Sequence, residues 1–387
     1  MSDKGTKKKA LVIGGSLGGL FAATALRATG WEVEIFERSA ATLDSRGGGI
    51  VLQPEVLEAF RFSGVNSSNA LGVRSNNRTY LTRTGDIRHK HYSPQTQTSW
   101  NTLYSNLMSV FPEDNYHKGR ELVTLEQKDN GVTAYFADGS MAHGNILIGA
   151  DGGSSTVRGL VFPNTHPTYS GYVVWRGLVN EPDLPQFAKE QIYEDFVFQQ
   201  DAESLILEYM IPGVDGSIKP GERRFNWLWY LKAAEAGELD QLLTDNTGFR
   251  RKHSIPPGAL GTQPEAAFRK KAEEALNPAF LELVRRTDDI FVQSILDLKT
   301  PKMVFNRVLL LGDAAFIPRP HTAGSTAKAA TNAVTLAQHM ANSSDLDKSL
   351  AAWERDQLQL GISMSEWGID MGNRIMSINP KNKEDNK

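Results

Sequence analysis

The residues best suited to chemistry lie near the start of the chain. A glycine-rich turn spans Gly14-Gly15-Ser16-Leu17-Gly18-Gly19, and Glu37 follows about 20 residues later. Such a turn lets the backbone approach a pyrophosphate at the N-terminus of a helix, where free N–H groups and the helix dipole attract negative charge. A carboxylate at the end of the next strand accepts hydrogen bonds from ribose hydroxyls. The segment therefore predicts a dinucleotide site, with Ser16 where a middle glycine is usual.

Two aspartates follow apolar runs further along the chain. Asp151 comes directly after residues 146–150, and Asp313 comes after residues 308–312. Open α/β sheets bind their ligands beyond the carboxyl ends of the parallel strands. Either aspartate alone is also compatible with a strand end that Asp and Gly cap. Together with the glycine turn, the two aspartates favour one shared nucleotide site.

Composition excludes several other kinds of chemistry. The chain has no cysteine, which excludes disulfides, thiolate zinc sites and iron–sulfur clusters and fits a cytoplasmic protein. The net charge of −3 gives no basic surplus for a nucleic acid. Glycines interrupt the uncharged run 10–26, and no other uncharged run is long enough to span a membrane. No metal-ligand pattern is present either. From these three observations together we expect no nucleic acid, membrane or metal partner.

The periodicity of apolar residues predicts the elements that carry these motifs. Residues 10–37 follow a strand–turn–helix–strand pattern. Helices are predicted at four further places: 54–62, 99–111, 265–286 and from about 323 onward. Aromatic-rich strands of an antiparallel sheet are predicted at 169–178, 205–211 and 223–232. Polar residues 71–98 predict short strands and loops, and Asp129-Asn130-Gly131 predicts a hairpin between strands 122–127 and 132–136.

The three motifs together resemble a known family. The glycine turn with Glu37-Arg38, Asp151-Gly152 with Arg158, and Gly312-Asp313 with Pro320 are similar to the signature of the single-component FAD-dependent aromatic hydroxylases, which have the p-hydroxybenzoate hydroxylase fold. The resemblance covers nearly the whole chain. A closer resemblance is to the pyridine-ring hydroxylases of nicotine and nicotinate breakdown, through three segments: 49–54, 171–177 and 318–321. The 2,6-dihydroxypyridine 3-hydroxylases and the 6-hydroxy-3-succinoylpyridine hydroxylases are both candidate subgroups.

The resemblance implies a fold and a domain division. The fold class is α/β (α+β), with a Rossmann-like FAD-binding domain, an interleaved antiparallel-sheet substrate domain and a C-terminal helical segment. The FAD-binding domain is predicted to comprise 1–72, 94–168 and 298–345. The substrate domain is predicted at 73–93 and 169–297, and residues 346–387 form the C-terminal helix and tail.

The resemblance also implies an activity. FAD accepts a hydride from NADH (or NADPH), O₂ forms a flavin C4a-hydroperoxide, and an electron-rich aromatic ring is hydroxylated, with or without displacement of a substituent. The sequence has no basic cluster for a 2′-phosphate, which favours NADH. Relatives are often homodimers, so we expect a homodimer. The implied FAD contacts are Gly14, Ser16, Leu17, Gly19, Glu37, Arg38, Gly49, Val51, Asp151, Asp313, Ala323 and Gly324.

Two residues are candidates for acting on the ring hydroxyl, which must be deprotonated or strongly hydrogen-bonded. His321 follows Arg319-Pro320 in the segment that the resemblance places near the flavin, and we expect a base or donor with a pKa near neutral there. Tyr209 lies on an aromatic strand and is the second candidate. A histidine that caps a helix and a tyrosine that packs in a sheet are the alternative interpretations.

The chain departs from the family pattern at three places. Trp100-Asn101 stands where many relatives have an arginine that contacts FAD, Asn332-Ala333 replaces an Asp-Ala pair, and Ala323-Gly324-Ser325 replaces Gly-Gln-Gly. These changes make the contacts to the flavin ring less certain than those to the pyrophosphate.

Four alternative functions remain at this stage. One is a hydroxybenzoate- or salicylate-type hydroxylase, and another is a non-catalytic flavin-binding redox sensor. A flavin-dependent halogenase would need Ile-Pro after its Trp-x-Trp, whereas Leu231-Lys232 follows Trp227-Leu228-Trp229-Tyr230. A plain NAD-dependent dehydrogenase would explain Glu37 but not Asp151 and Asp313.

Overall fold

Two large β-sheets organise the chain. The computed structural model describes residues 8–41, 43, 48–66, 71–128, 130–343 and 345–378. In chain order the strands are β1 (Lys9–Ile13), β2 (Glu32–Glu37), β3 (Gly49–Val51), β4 (Val73–Leu81), β5 (Ile87–Ser99), β6 (Tyr116–Lys118), β7 (Leu122–Lys128), β8 (Gly131–Phe136), β9 (Met141–Gly144), β10 (Ile146–Gly149), β11 (Thr168–Asn180), β12 (Phe196–Asp201), β13 (Ser204–Ile211), β14 (Arg224–Lys232), β15 (Ser254–Ile255), β16 (Phe291–Lys299), β17 (Val304–Phe305), β18 (Val308–Leu310) and β19 (Phe316–Ile317). The α-helices are α1 (Leu17–Ala28), α2 (Pro54–Phe62), α3 (Trp100–Met108), α4 (Thr156–Val161), α5 (Gln186–Ile192), α6 (Glu238–Leu242), α7 (Thr262–Ala275), α8 (Pro278–Arg285), α9 (Ser325–Ala341) and α10 (Leu346–Ile375).

The six-stranded sheet brings the three sequence motifs together. Its order is β17-β18-β10-β1-β2-β6, and β1 pairs in parallel with β2 and β10. Because β10 also pairs in parallel with β18, the carboxyl ends of β1, β10 and β18 meet at one edge. Parallel strands need crossover connections, and α1 supplies the one between β1 and β2. Buried apolar residues of this sheet pack with those of α1, α2 and α9 in one core.

The ten-stranded sheet has two faces with different partners. Its order is β15-β16-β11-β14-β13-β12-β4-β5-β3, with β19 on β16. Residues alternate along β14, as the sequence predicts: Phe225, Trp227 and Trp229 lie in the core with α7 and α8, whereas Leu228 and Tyr230 face the other way. We call this second side the inner face, and Ala323 and Met376 pack against it. Its buried residues include Val51, Tyr172, Val174, Phe196, Phe198, Leu207, Tyr209, Leu228 and Tyr230.

Two segments differ from the sequence prediction. Residues 71–98 form most of a long hairpin of β4 and β5 rather than short strands and loops, because polar residues on its exposed side hide the alternation. The predicted helix 265–286 is two helices, α7 and α8. Asn277 caps α8 by accepting a hydrogen bond from the Phe280 N–H at 3.0 Å, and Pro278 occupies the first helical position, where proline is tolerated.

Other predicted boundaries agree or stay open. Strands β7 and β8 pair on either side of the predicted hairpin turn, of which Asp129 lies outside the described residues. Strand β5 continues through the predicted domain boundary at 93/94, so the domain division stays a prediction. The predicted polar tail, from 379 onward, is also outside the described residues. Among those described, no helix is long and apolar enough to cross a bilayer, and no three acidic or histidine side chains converge as a metal ion would need.

A stripe of small residues lets α10 approach the segment that carries His321. A Cβ at Gly361 would overlap the ring of Phe316, and a Cβ at Gly368 would lie 2.9 Å from the Arg319 backbone N. A Cβ at Gly372 would overlap the hydroxyl of Tyr172. The C-terminal helix therefore holds residues 316–322 in place through contacts that only glycine permits.

One buried acid has no partner in this fold. Glu208 on β13 is fully buried, and neither carboxylate oxygen has a hydrogen-bond partner among the described residues. Its strand neighbours are Val197 and Trp227. Burial, with a smaller contribution from the nearby Asp195, raises the pKa of Glu208 well above its usual range, so the native protein holds this carboxyl protonated.

We expect Glu208→Gln to flatten the pH dependence of stability. The pKa of Glu208 is higher in the folded protein than in the unfolded chain. The wild type therefore loses stability as the pH rises from the unfolded pKa towards the folded pKa. At pH 8 the variant should be more stable by about 1–3 kcal/mol, and near pH 5 the two should be similar. Denaturant unfolding at both pH values measures the difference. Glu58→Gln, on the exposed side of α2, is the control, and parallel wild-type and Glu208→Gln curves would contradict the assignment.

Candidate active site

A cleft of about 450 Å³ opens at the carboxyl ends of β1, β10 and β18. Many predicted FAD positions line it: Gly14, Ser16, Leu17, Glu37, Arg38, Asp151 and Asp313. Trp100, at the position where relatives have an arginine, also lines the cleft. The remaining predicted positions are Gly19, which packs inside the turn, and Gly49, Val51, Ala323 and Gly324, which lie on or near the inner face.

Two glycines of the turn, Gly14 and Gly19, lie where a side chain would overlap neighbouring backbone atoms. Gly14 has φ +102°, and a Cβ there would lie 2.5 Å from the carbonyl oxygen of Ala150. A Cβ on Gly19 would overlap the carbonyl oxygen of Gly14. Gly14 therefore allows the close approach of β1 to β10, and Gly19 allows α1 to pack on the turn.

Two helix N-termini face the cleft. The Ser16 side chain makes no capping hydrogen bond and the first turn of α1 has no acid, so its backbone N–H groups stay available to a ligand. Ser325 and Thr326, in the first turn of α9, also line this cleft. Two helix dipoles directed at one cleft favour a doubly charged group such as a pyrophosphate.

Glu37 ends β2 at the edge of this cleft. Its Oε2 accepts a hydrogen bond from the Gly15 N–H at 2.8 Å, and its Oε1 accepts one from the Ser39 N–H at 2.9 Å. These bonds fix the carboxylate and leave each oxygen a second lone pair for a ribose hydroxyl. Together with the helix termini, this geometry fits the ADP part of a dinucleotide.

The second motif, Asp151-Gly152 with Arg158, lines the cleft and also holds neighbouring elements together. Asp151 accepts hydrogen bonds from the Ser155 hydroxyl at 2.5 Å and from the Thr156 N–H at 2.7 Å, so it caps α4. Burial raises the pKa of Asp151. The buried Arg158 guanidinium donates to the carbonyls of Gly153 at 2.6 Å and Ala314 at 2.9 Å. Arg158 thus joins the second motif to the third.

Asp313 faces the cleft and is held by a buried lysine. Its Oδ1 accepts hydrogen bonds from the Ser325 hydroxyl at 2.7 Å and from Lys328 Nζ at 3.0 Å. The Asp313 side chain is 44% exposed, whereas that of Lys328 is 1% exposed. Lys328 also donates to the carbonyl of Phe316. Sequence reasoning missed Lys328, although it is the one Lys, Arg, Asp or Glu residue of α9.

Asn332 explains one departure from the family pattern. Its Oδ1 accepts a hydrogen bond from the Gly312 N–H at 3.1 Å, and its Nδ2 donates to Gln357 Oε1 at 2.7 Å. An amide can accept and donate at once, whereas an ionised carboxylate can only accept. Asn332 thus joins the third motif to both α9 and α10.

His321 lies against the inner face rather than in the cleft. Its Nε2 is 2.9 Å from the hydroxyl of Tyr172, and its ring centroid is 4.4 Å from that of Tyr230. Burial and the nearby Arg319 lower the pKa of His321 to about 3, so the imidazole is neutral at physiological pH. The near-neutral pKa that the sequence suggested is not found, because the site is buried and positively charged.

An ion pair fixes the segment that carries His321. Arg319 donates from Nε and a terminal N–H to the two Asp297 oxygens, both at 2.7 Å, and from its other terminal nitrogen to Asn373 Oδ1 at 3.0 Å. Burial raises the pKa of Tyr172 to about 12, so its hydroxyl keeps its proton. Sequence reasoning gave Tyr172 no role beyond its place in the segment 171–177.

Tyr209 lies on the inner face beside β3. A Cβ on Gly49 would overlap the Tyr209 ring, and the Gly49 N–H donates to Asn226 Oδ1 at 2.9 Å. Burial raises the pKa of Tyr209 to about 12. Tyr209 therefore lies next to the predicted FAD position Gly49. Its hydroxyl keeps its proton and can donate a hydrogen bond, but it is not a base.

Comparison with known proteins agrees with this geometry. The family model for "FAD binding domain-like" proteins matches residues 169–297. The 2,6-dihydroxypyridine 3-monooxygenase of Paenarthrobacter nicotinovorans is 36% identical over 357 residues, which are 92% of this chain and 88% of that protein. The solved structure of 2,6-dihydroxypyridine-3-hydroxylase from Arthrobacter nicotinovorans matches with a TM-score of 0.90 at 35% identity, over 96% of this chain and 93% of that one.

A more distant structure shares the fold. Klebsiella pneumoniae HpxO complexed with FAD and uric acid matches with a TM-score of 0.79 at 20% identity, over 97% of this chain and 91% of that chain. The predicted α/β fold of the p-hydroxybenzoate hydroxylase type and the FAD cofactor are confirmed. The chain belongs to the FAD-dependent aromatic-ring monooxygenases.

Proposed function

We propose that the protein hydroxylates a hydroxylated pyridine with O₂ and NADH. The substrate class is supported by the 36% identity to an enzyme named for 2,6-dihydroxypyridine, across 92% of the chain. The reaction consumes ring C–H, O₂, NADH and a proton, and it yields ring C–OH, NAD⁺ and water. FAD, when bound, supplies hydride acceptance and O₂ activation. Displacement of a ring substituent and homodimer formation stay predictions.

The observation that carries the site assignment is the His321–Tyr172 pair on the inner face. Tyr172 occupies Nε2 of the imidazole, and no described residue hydrogen-bonds to the other ring nitrogen. That Nδ1 is free to bind a ring oxygen of the substrate. Because the imidazole is neutral, it polarises the ring hydroxyl by hydrogen bonding rather than by ion pairing.

The chain also excludes water from this region. Met376 is fully buried against the inner face, and Ala323 and Ile378 pack beside it. Apolar cover of this kind protects a reactive intermediate from side reactions with water. Met376 and Ile378, just after the C-terminal end of α10, thus contribute to the site by packing rather than by chemistry.

Aerobic NADH consumption by the FAD-loaded protein tests the proposal. We expect several-fold stimulation by 2,6-dihydroxypyridine, with little peroxide and one hydroxylated product. NADPH should be the poorer donor. Stimulation only by p-hydroxybenzoate or salicylate would show that the substrates are hydroxybenzoates rather than hydroxylated pyridines. A yellow protein that no ring stimulates would favour the flavin-binding sensor.

We expect His321→Asn to slow substrate-stimulated NADH consumption about 10-fold, the effect of one lost neutral hydrogen bond. A pKa of about 3 lies outside the working range, so the pH profile between 6 and 9 should keep its shape. Tyr172→Phe should also slow NADH consumption, because it removes the hydroxyl that hydrogen-bonds to the His321 imidazole and holds it in place. A wild-type inflection near pH 6.5 that the His321→Asn variant lacks would show that the imidazole titrates there after all.

A further inference from the structure

Arg176 is a cation on the inner face that does not line the nucleotide cleft. In β11, Tyr172, Val174 and Leu178 pack on the inner face, and Trp175 and Val179 pack on the opposite side. Alternation therefore places Arg176 on the inner face. Arg176 as a whole is partly buried, and its Nε atom is fully buried.

No carboxylate among the described residues compensates the charge of this guanidinium. Arg176 makes no ion pair with any described carboxylate, and its Nε has no hydrogen-bond partner. Among the described residues its side chain hydrogen-bonds to the neutral amide of Gln293, with NH1 3.3 Å from Oε1. In contrast, the buried Arg223 pairs with Glu181, and Arg319 pairs with Asp297. A partly buried guanidinium without a carboxylate partner keeps donors that an anion can complete.

Aromatic side chains and a glycine surround Arg176. Its guanidinium lies 5.5 Å from the ring centroid of Phe291, and its charge acts on the hydroxyls of Tyr209 and Tyr230. A Cβ on Gly48 would overlap the Arg176 guanidinium, so Gly48, directly before β3, lies against it. Tyr230 in turn contacts His321, so the cation and the imidazole share the inner face.

We propose that Arg176 binds the negative charge of an anionic ring substrate and so selects for ionised rings. The inference rests on the proposed function. A guanidinium presents a planar set of donors that suits an oxyanion on a ring, either an ionised ring hydroxyl or a ring carboxylate. Binding the ionised hydroxyl favours the more electron-rich form of the ring, which is the form that an electrophilic oxygen attacks. His321 then binds the neutral part of the same ring.

The test is an anaerobic titration of the oxidised, FAD-loaded protein, followed through the flavin absorbance. The probes are 2,6-dihydroxypyridine, 6-hydroxynicotinate and the uncharged 2,6-dimethoxypyridine. Arg176→Gln should raise the dissociation constant of an anionic ring about 10–100-fold and change that of the uncharged ring less than about 2-fold. Arg176→Lys should recover part of the affinity. A loss for the dihydroxypyridine alone identifies the ring oxyanion as the ligand, and a loss for the nicotinate alone identifies the carboxylate.

Arg78→Gln is the matched control. Arg78 also has a buried Nε without a partner and lies 5.7 Å from the ring centroid of Phe196, but β4 is four strands away from β11, or about 19 Å. We expect wild-type titrations from it. Equal losses for charged and uncharged rings, unchanged affinity in Arg176→Gln, or no response to any probe would overturn the proposal. Arg176-dependent binding without hydroxylation would instead overturn only the proposed function.

Discussion

Asp313→Ala should yield protein that retains little flavin. The carboxylate is 44% exposed towards the cleft, and losing this charged hydrogen-bonding group should raise the FAD dissociation constant about 10–100-fold. It also leaves the Lys328 ammonium buried without its counter-ion, which costs about 3–5 kcal/mol of folding stability. Flavin content after gel filtration and the melting temperature of the flavin-free protein measure the two effects.

A double variant separates those two effects. Asp313→Ala combined with Lys328→Met removes both charges, so that no buried ammonium is left without a counter-ion. We expect the melting temperature to recover towards the wild-type value, while FAD affinity stays low. A double variant that regains full flavin would show that Asp313 only balances Lys328 and does not hold the cofactor.

Gly372→Ala should damage both stability and turnover. The added methyl group would overlap the Tyr172 hydroxyl and lie 2.8 Å from Arg319 NH1. Overpacking of this kind costs about 1–3 kcal/mol. Because the displaced hydroxyl is the partner of His321, substrate-stimulated NADH consumption should fall more than FAD affinity does.

Gly159→Ala is the matched control for this substitution. Gly159 lies in α4, and a Cβ there would meet nothing within 4 Å. Alanine should raise stability by about 0.5–1 kcal/mol, because a helical glycine is entropically unfavourable. If Gly372→Ala kept both the wild-type melting temperature and turnover, α10 would not restrain the His321 segment as described.

The nucleotide half of the site was accessible from sequence because its signals are local. The glycine turn, Glu37 and the two aspartates each stand beside an apolar run that predicts a strand, and parallel strands bring their carboxyl ends together. The alternation of Phe225, Trp227 and Trp229 likewise predicted the two faces of β14. Gly19 was assigned to the cofactor, whereas its visible role is to let α1 pack on the turn.

The substrate half depends on contacts that no local pattern encodes. Tyr172 and His321 are 149 residues apart, and they meet because of the strand register of β11 and the close packing of α10. The low pKa of His321 follows from burial and from Arg319, which only the assembled structure shows. That Arg176 lacks a partner among the described carboxylates is likewise invisible in the sequence, because it depends on where those carboxylates lie in the fold.

The central claim is that the protein transfers one oxygen atom from O₂ to a hydroxylated pyridine. The most direct test is turnover of the FAD-loaded protein with NADH and 2,6-dihydroxypyridine under ¹⁸O₂, followed by mass spectrometry of the product. We predict one ¹⁸O atom in the ring product and consumption of about one NADH per product formed. An unlabelled product, with the oxygen drawn from water, or NADH consumption matched entirely by peroxide would contradict the account.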